Sequence, residues 1–149
     1  MTFPLGSILL VADYQLPTTK KDKFFIVIVE SKDEYNLLSM TTSQIYFDTA
    51  LIKHGVIKDR NMSLYCFEHD RIIGKNGFSF RKDTIVSHRS NIHCFTKEKI
   101  AKLDIRFQDV LLKKEFENLI YSFYQSDISN KHKKMFEQIL SEIMNCNNL

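Results

Sequence analysis

Two short stretches hold the one arrangement in this 149-residue chain that looks like chemistry. Lys20-Lys21-Asp22-Lys23 is a charged loop at the mouth of an apolar run, and Thr41-Thr42-Ser43 closes the run that follows. If the two runs are neighbouring strands, a cation and a row of hydroxyls meet at one end of a sheet. Of the basic residues, Lys23 sits directly against the first run.

The elements that must position these residues can be read outward from that point. Phe24-Phe25-Ile26-Val27-Ile28-Val29 is six apolar residues without polar alternation, the pattern of a strand buried on both faces. Ser31-Lys32-Asp33-Glu34 makes a charged turn, and Tyr35 to Met40 is a second strand that delivers the hydroxyls. Gly6 to Asp13 reads as a strand before them, ended by Leu16-Pro17-Thr18-Thr19. Residues 44–61 are ambiguous: Phe47, Leu51 and Ile52 have helical spacing and Gly55 is placed to end a short helix. Lys58-Asp59-Arg60-Asn61 reads as a surface loop.

Met62 to Glu68 reads as a strand, and Gly74-Lys75-Asn76-Gly77 carries turn chemistry. Phe78-Ser79-Phe80 alternates, Thr84-Ile85-Val86 is β-prone, and Ile92 to Phe95 reads as the last short strand. Thr96 is placed to cap a helical turn at Lys97-Glu98-Lys99. After Ile100 the hydrophobic period lengthens from about 2 to about 3.6. Leu112, Phe116, Leu119, Ile120 and Phe123 share one helical face, with Asp109 placed as N-cap. Ser126 to Ser129 break that helix. Met135, Phe136, Ile139, Leu140, Ile143 and Met144 form the stripe of a second, and Asn145 to Asn148 read as a frayed end. Strands first and helices last define an α+β protein. The expected division is a β domain over 1–105 and a helical hairpin over 106–149 packed on it.

Composition narrows the class. The chain is 44% hydrophobic and 26% charged, the balance of an ordinary globular protein. No run reaches the roughly 18 apolar residues of a membrane helix. No basic region precedes the first apolar residues, so a cytoplasmic address without membrane association is expected. Three widely spaced cysteines, Cys66, Cys94 and Cys146, are expected to be reduced thiols. Residues 1–105 hold 15 Lys/Arg against 12 Asp/Glu, while 106–149 hold 6 against 6, so the net charge of +3 belongs to the first part. That mildly favours a polyanion-facing surface there.

Cys66-x-x-His69 and His93-Cys94 invite a zinc reading. On strands, positions three apart point to opposite faces, and so do adjacent ones. No metal is expected; buried cysteine with surface histidine is the expected arrangement. No phosphate-cradling glycine loop and no nucleophile elbow is present, and no cofactor is expected. Most of the 12 phenylalanines are expected in the core, with Tyr46, Phe47 and Tyr65 the candidates to stack on unpaired bases.

Across roughly residues 6–100 the order of several short motifs resembles the PemK/MazF-like family of toxins from toxin–antitoxin pairs. Gly6-Ser7-Ile8 followed by Asp13 resembles its opening Gly-Asp-hydrophobic strand. Lys23-Phe24-Phe25-Ile26-Val27-Ile28 stands where the family has Arg-Pro and aliphatics. Thr42-Ser43 resembles its Thr-Ser strand end, and Tyr65-Cys66-Phe67-Glu68 is similar to a later aromatic strand. Gly77, Lys82-Asp83-Thr84-Ile85-Val86 and Ile92 to Ile100 resemble the stretch around its Lys-Asp-Ser-Val-Val segment. The chain departs from the pattern in Lys23 for arginine, Phe24 for proline and Ser7 for an acidic residue. Residues 44–61 look inserted, and the two closing helices exceed the family's usual ending.

The resemblance implies a small SH3-like antiparallel β-barrel, usually a homodimer, that cleaves single-stranded RNA without metal and is neutralised by a cognate antitoxin protein. Lys23, Thr42 and Ser43 would then be catalytic, and Lys20, Lys21, Arg81 and Lys82 would bind RNA. Such cleavage uses the 2′-hydroxyl as internal nucleophile on the adjacent phosphorus. Lys23 would stabilise phosphate charge as a point charge, without the two-pronged hydrogen bonding of arginine. Thr42 and Ser43 would hold phosphate oxygens or the 2′-hydroxyl. Glu68, His69 and His88 are the general-base candidates by type. The same barrel without catalysis, binding a protein or a nucleic acid, is the alternative expectation.

Overall fold

The apolar run at 24–29 becomes the middle of a long central strand. A computed structural model describes residues 2–42, 53–59, 62–89 and 91–145, without the side chains of Thr42, Asp59 and Met62. Nine strands and three helices follow in the order β1 (Ser7–Gln15), β2 (Lys20–Glu30), β3 (Glu34–Ser39), β4 (Thr41–Thr42), β5 (Gly55–Asp59), β6 (Met62–Phe67), β7 (Thr84–Ser87), β8 (Ile92–Thr96), α1 (Lys97–Ala101), β9 (Asp104–Val110), α2 (Lys113–Tyr124) and α3 (Asn130–Asn145). One sheet has the order β8-β3-β2-β1-β9, the other β4-β7-β6-β5, and every pairing is antiparallel. The architecture is α+β. The strand pairings of the described residues make two sheets rather than one closed ring.

β2 is buried on both faces because each face meets a different core. Ile26 and Ile28 join Ile8, Leu38, Tyr65, Phe67 and the apolar faces of α2 and α3 in the larger cluster. Phe25 and Val27 point the other way, into Phe3, Leu9, Val11, Tyr35, Leu37, Phe95 and Ile100. That alternation on a strand buried on both sides is what an unbroken apolar run encodes. A bulge between Val27 and Val29 resets the register with β3.

The helices cover one face of this frame. Phe116, Leu119, Ile120 and Phe123 of α2 and Phe136, Ile139 and Ile143 of α3 are buried, and Phe123 stacks on Phe136 at 4.8 Å. Met144 is 78% exposed, and Leu112 precedes α2 instead of entering its stripe. Thr96 caps α1 by accepting the Lys99 N–H at 3.1 Å, as expected.

Several expectations are corrected. The last strand is β9, not Ile92–Phe95, so the boundary expected at residue 105 falls inside a strand paired with β1. Asp109 caps no helix. It is a buried residue of β9 whose carboxylate accepts the backbone N–H groups of Asn76, Phe78 and Val110. Phe78-Ser79-Phe80 lies outside the named strands, although its Phe78 carbonyl accepts the Ile73 and Gly74 N–H groups and its Phe80 carbonyl that of Asp70 across the turn. Gly55 ends no helix: with φ of 105° it opens β5, a conformation glycine adopts without strain. Lys58 and Asp59 belong to that strand rather than to a loop. The expectations for Ser43, Tyr46, Phe47, Leu51, Ile52, Arg60, Asn61 and the end at Cys146–Asn148 lie outside the described residues.

Candidate functional site

The register of β2 against β3 decides where Lys23 goes. Phe25 pairs with Ser39, and the Met40 N–H reaches the Phe24 carbonyl at 2.9 Å. One step further along the same register sets Thr41 opposite Lys23. There the chain changes sheets: Thr41 pairs with Ile85 and Thr42 with Thr84 in the second sheet. The strand ends open at this corner into a cleft of about 260 Å³, lined by Leu10, Lys21, Asp22, Lys23, Phe24, Met40, Thr41 and Thr84. Lys23 and Thr41 therefore line one cleft at this corner. Ser43 lies outside the described residues, as does the Thr42 side chain.

Lys23 is half-buried here, and burial, with the Lys21 charge next to it, lowers its ammonium pKa. Desolvation strengthens any interaction it makes with an anion, since less water screens the pair. Lys20 is exposed at the start of β2, outside the cleft lining.

A larger cleft, of about 700 Å³, adjoins the first and shares Phe24 and Thr84 with it. Its other walls are Asp70, Phe78, Ser79, Phe80, Arg81, Lys82 and Gln108. Phe24, Phe78 and Phe80 pack edge to face, with centroids 5.0 to 6.0 Å apart. Phe80 is buried, whereas Phe24 and Phe78 keep part of their rings accessible. The loop carrying Phe78 is built on β9. Gly74 approaches Asp109 so closely that a Cβ there would sit 2.1 Å from the carboxylate. With its N–H groups held by Asp109, the loop presents Phe78 from a fixed frame.

The histidines separate by environment. His88 is buried, its Nδ1 at 2.7 Å from Ser63 Oγ and its Nε2 at 2.9 Å from Ser122 Oγ, tying the second sheet to α2. Burial and the Lys58 charge push its pKa down to about 4, so it is neutral structural glue rather than a base at the clefts. His69 is exposed, and its Nδ1 lies 2.8 Å from Asp83 Oδ1. That hydrogen bond, with the Asp83 charge, raises its pKa. His69 does not line either cleft, but Asp70 beside it and both neighbours of Asp83 do. Glu68 is exposed, and its N–H is donated to His54 Nδ1 at 3.2 Å. His93, not singled out as a base, is half-buried against Phe25, and burial together with Lys23 and Lys99 lowers its pKa.

Strand geometry applies to one of the zinc pairs only, because β6 ends at Phe67 and leaves His69 in a turn, whereas His93 and Cys94 are adjacent on β8. Cys66 is buried, with its thiol pushed up to about 12 by burial and the Asp83 and Glu68 charges, while His69 is exposed. In the second pair the order is reversed: Cys94 is exposed and His93 half-buried. Among the described residues no cluster of three or more His, Cys, Asp and Glu could hold a metal ion. Tyr65 is corrected as a stacking candidate, being 2% exposed in the core. Of the rings lining the clefts, Phe24 and Phe78 are the partly accessible ones. Sequence reasoning missed them because Phe24 belongs to the central apolar run and Phe78 reads as part of a strand.

Comparison with family models, with curated proteins and with solved structures finds no match to this chain. Among the described residues, no helix is long and apolar enough to cross a membrane.

Proposed function

We propose that the two adjoining clefts form a groove for single-stranded RNA and that the protein is a metal-independent endoribonuclease of the toxin class. The observation that carries this reading is the lining itself. Lys21 and Lys23 with Asp22 line one cleft and Arg81 and Lys82 with Asp70 the other, four cations to two carboxylates, and the partly accessible Phe24 is common to both. Cations that follow a backbone, alternating with aromatic faces for unpaired bases, are the general means of holding a single strand. The chain passing from β3 through Met40 into β4 links the two sheets at the corner, an arrangement compatible with a small SH3-like barrel. On this reading the barrel pairs as a homodimer and is neutralised by a cognate antitoxin protein, in the cytoplasm.

In the proposed reaction the 2′-hydroxyl gives its proton to water and its oxygen attacks phosphorus, the bond to the 5′-oxygen breaks, that oxygen takes a proton from water, and a 2′,3′-cyclic phosphate forms. Lys23 stabilises the charge that accumulates on the phosphoryl oxygens, and the Thr41–Ser43 hydroxyls hold those oxygens. His69, kept toward its protonated form by Asp83, lies outside both cleft linings and has no part in this step.

One observation favours a second reading, a groove that binds without cutting: no histidine lines either cleft among the described residues. Expression of the protein beside its Lys23→Ala variant separates the two. Growth arrest with newly cut messenger RNA, relieved in the variant, supports the enzyme. Normal growth with intact RNA at high expression leaves the binding reading alone.

A further inference from the structure

We infer that the larger cleft is a pocket for one unpaired nucleotide and that it selects bases carrying an exocyclic amino group. This rests on the single-stranded RNA reading above and adds to it which part of the strand is read, and how. The pocket, about 700 Å³, has room for a nucleotide. Its apolar wall is the edge-to-face set of Phe24, Phe78 and Phe80, of which Phe24 and Phe78 offer accessible ring surface. A planar base gains most from such surface when it is held still, and the Phe78 loop is fixed by the buried Asp109 carboxylate.

The polar wall gives the discrimination. Gln108 spends one amide proton on the Arg106 carbonyl at 3.0 Å, which orients the amide and leaves Oε1 to accept and the second N–H to donate, so this side chain can bond to any base edge. The Asp70 carboxylate on the same lining is an acceptor only, on a residue whose φ of 60° directs the turn. The Asp70 carboxylate beside an aromatic wall therefore carries the discrimination: it favours cytosine, adenine or guanine, whose amino groups donate, over uracil, which has none. Arg81 and Lys82 on the lining supply positive charge for the phosphate. The Thr84 hydroxyl is already committed to the Lys82 carbonyl at 2.9 Å and fixes the backbone rather than the ligand.

The test is an NMR titration of the full chain with CMP, UMP, ribose 5-phosphate and a six-residue oligocytidylate. CMP is expected to bind about tenfold more tightly than ribose 5-phosphate, the effect of one stacked base. CMP is expected to exceed UMP several-fold, and Asp70→Asn, which adds a donor beside the acceptor, to remove most of that difference. Phe78→Ala, at a partly exposed position, is expected to lower CMP affinity about tenfold with the amide spectrum otherwise intact. Oligocytidylate is expected to bind more tightly than CMP, because its further phosphates reach Lys21 and Lys23. Equal affinity for CMP and ribose 5-phosphate, or no effect of Phe78→Ala, would reduce the cleft to an anion patch and overturn the inference. Equal affinity for CMP and oligocytidylate would overturn its link to an RNA strand. Because none of these readouts requires cleavage, nucleotide selection with intact RNA would reject the ribonuclease reading and keep the pocket.

Discussion

Phe24 and Ile28 stand four residues apart in β2 and belong to the same apolar cluster, yet their surroundings differ. Ile28 is wholly buried. Nearby, Gly6 donates to the Val27 carbonyl and has the Phe116 ring of α2 3.5 Å from where its Cβ would be. Phe24 is only partly buried, and the clefts beside it are lined by loop and strand residues without one from α2 or α3. The helices cover one end of the sheet and leave the other open. The open end is where the apolar wall is ringed by Lys21, Lys23, Arg81 and Lys82. One strand thus serves as core at one end and as the floor of a groove at the other, and stability and binding should separate along it.

The largest effects are expected at the covered end. Deleting residues 128–149 removes α3 and exposes Phe123 and its neighbours, and is expected to give an insoluble or unfolded protein. A soluble, folded product of unchanged oligomeric mass would contradict the helix-covered core. Phe123→Ala removes a ring stacked on Phe136 and edge-on to His88 at 4.6 Å. It is expected to cost about 3–5 kcal/mol in denaturant unfolding.

Acidification should reach the same end through His88. Its folded pKa of about 4 lies below its unfolded value, so the unfolded chain binds the proton first as pH falls. Stability from this group is complete above about pH 6.5 and lost down to about pH 4, on the order of 3 kcal/mol in all. Denaturant midpoints across that range, compared with His88→Gln, check the slope. His69 has the opposite sign: its raised folded pKa makes its contribution present below its unfolded value and lost as pH rises through the folded one. The lowered pKa of its partner Asp83, where the His69 bonds outweigh burial, gives stability lost as pH falls through the folded value. As an exposed pair they matter little for stability.

Asp109 links the two ends. Asp109→Ala leaves three backbone N–H groups without their acceptor and is expected to cost about 2 kcal/mol. It should also loosen the 74–78 loop, visible as faster amide exchange at Phe78. At the open end the stability effects become small. Phe78→Ala and Lys23→Ala are each expected to change unfolding by less than about 1 kcal/mol, while weakening binding to single-stranded RNA. Lys23→Ala should also lower the salt dependence of that binding by about 0.7 in log–log slope.

How much of this was legible follows from which signals are local. The apolar run at 24–29, the strand before Thr41 and the two helical stripes are periodic patterns, and they appear at the expected places. β9 was not legible because Asp104-Ile-Arg-Phe-Gln-Asp-Val lies against a sheet edge, with Phe107 50% exposed and charge on both sides. Its pairing with β1 is fixed by a partner about a hundred residues earlier, and no local period records that. The same long-range fact hid Asp109, whose spacing from α2 mimics a helix cap while its carboxylate serves a distant turn. At the candidate site, Lys23, Lys21, Arg81 and Lys82 were chosen by type and line the clefts, whereas Lys20 does not. The described lining includes the Thr41 hydroxyl and not the expected Thr42 or Ser43. The groove the four cations share was not legible, because it depends on the chain changing sheets at Met40.

The central claim is that this open end cuts single-stranded RNA by 2′-hydroxyl attack. Its most direct test incubates the purified protein with a labelled single-stranded RNA in excess chelator and analyses the new ends. The account predicts fragments with 2′,3′-cyclic phosphate and 5′-hydroxyl ends, strongly reduced with Lys23→Ala although that variant unfolds at the same denaturant concentration. Fragments with 5′-phosphate and 3′-hydroxyl ends, or cleavage unchanged in Lys23→Ala, would contradict it.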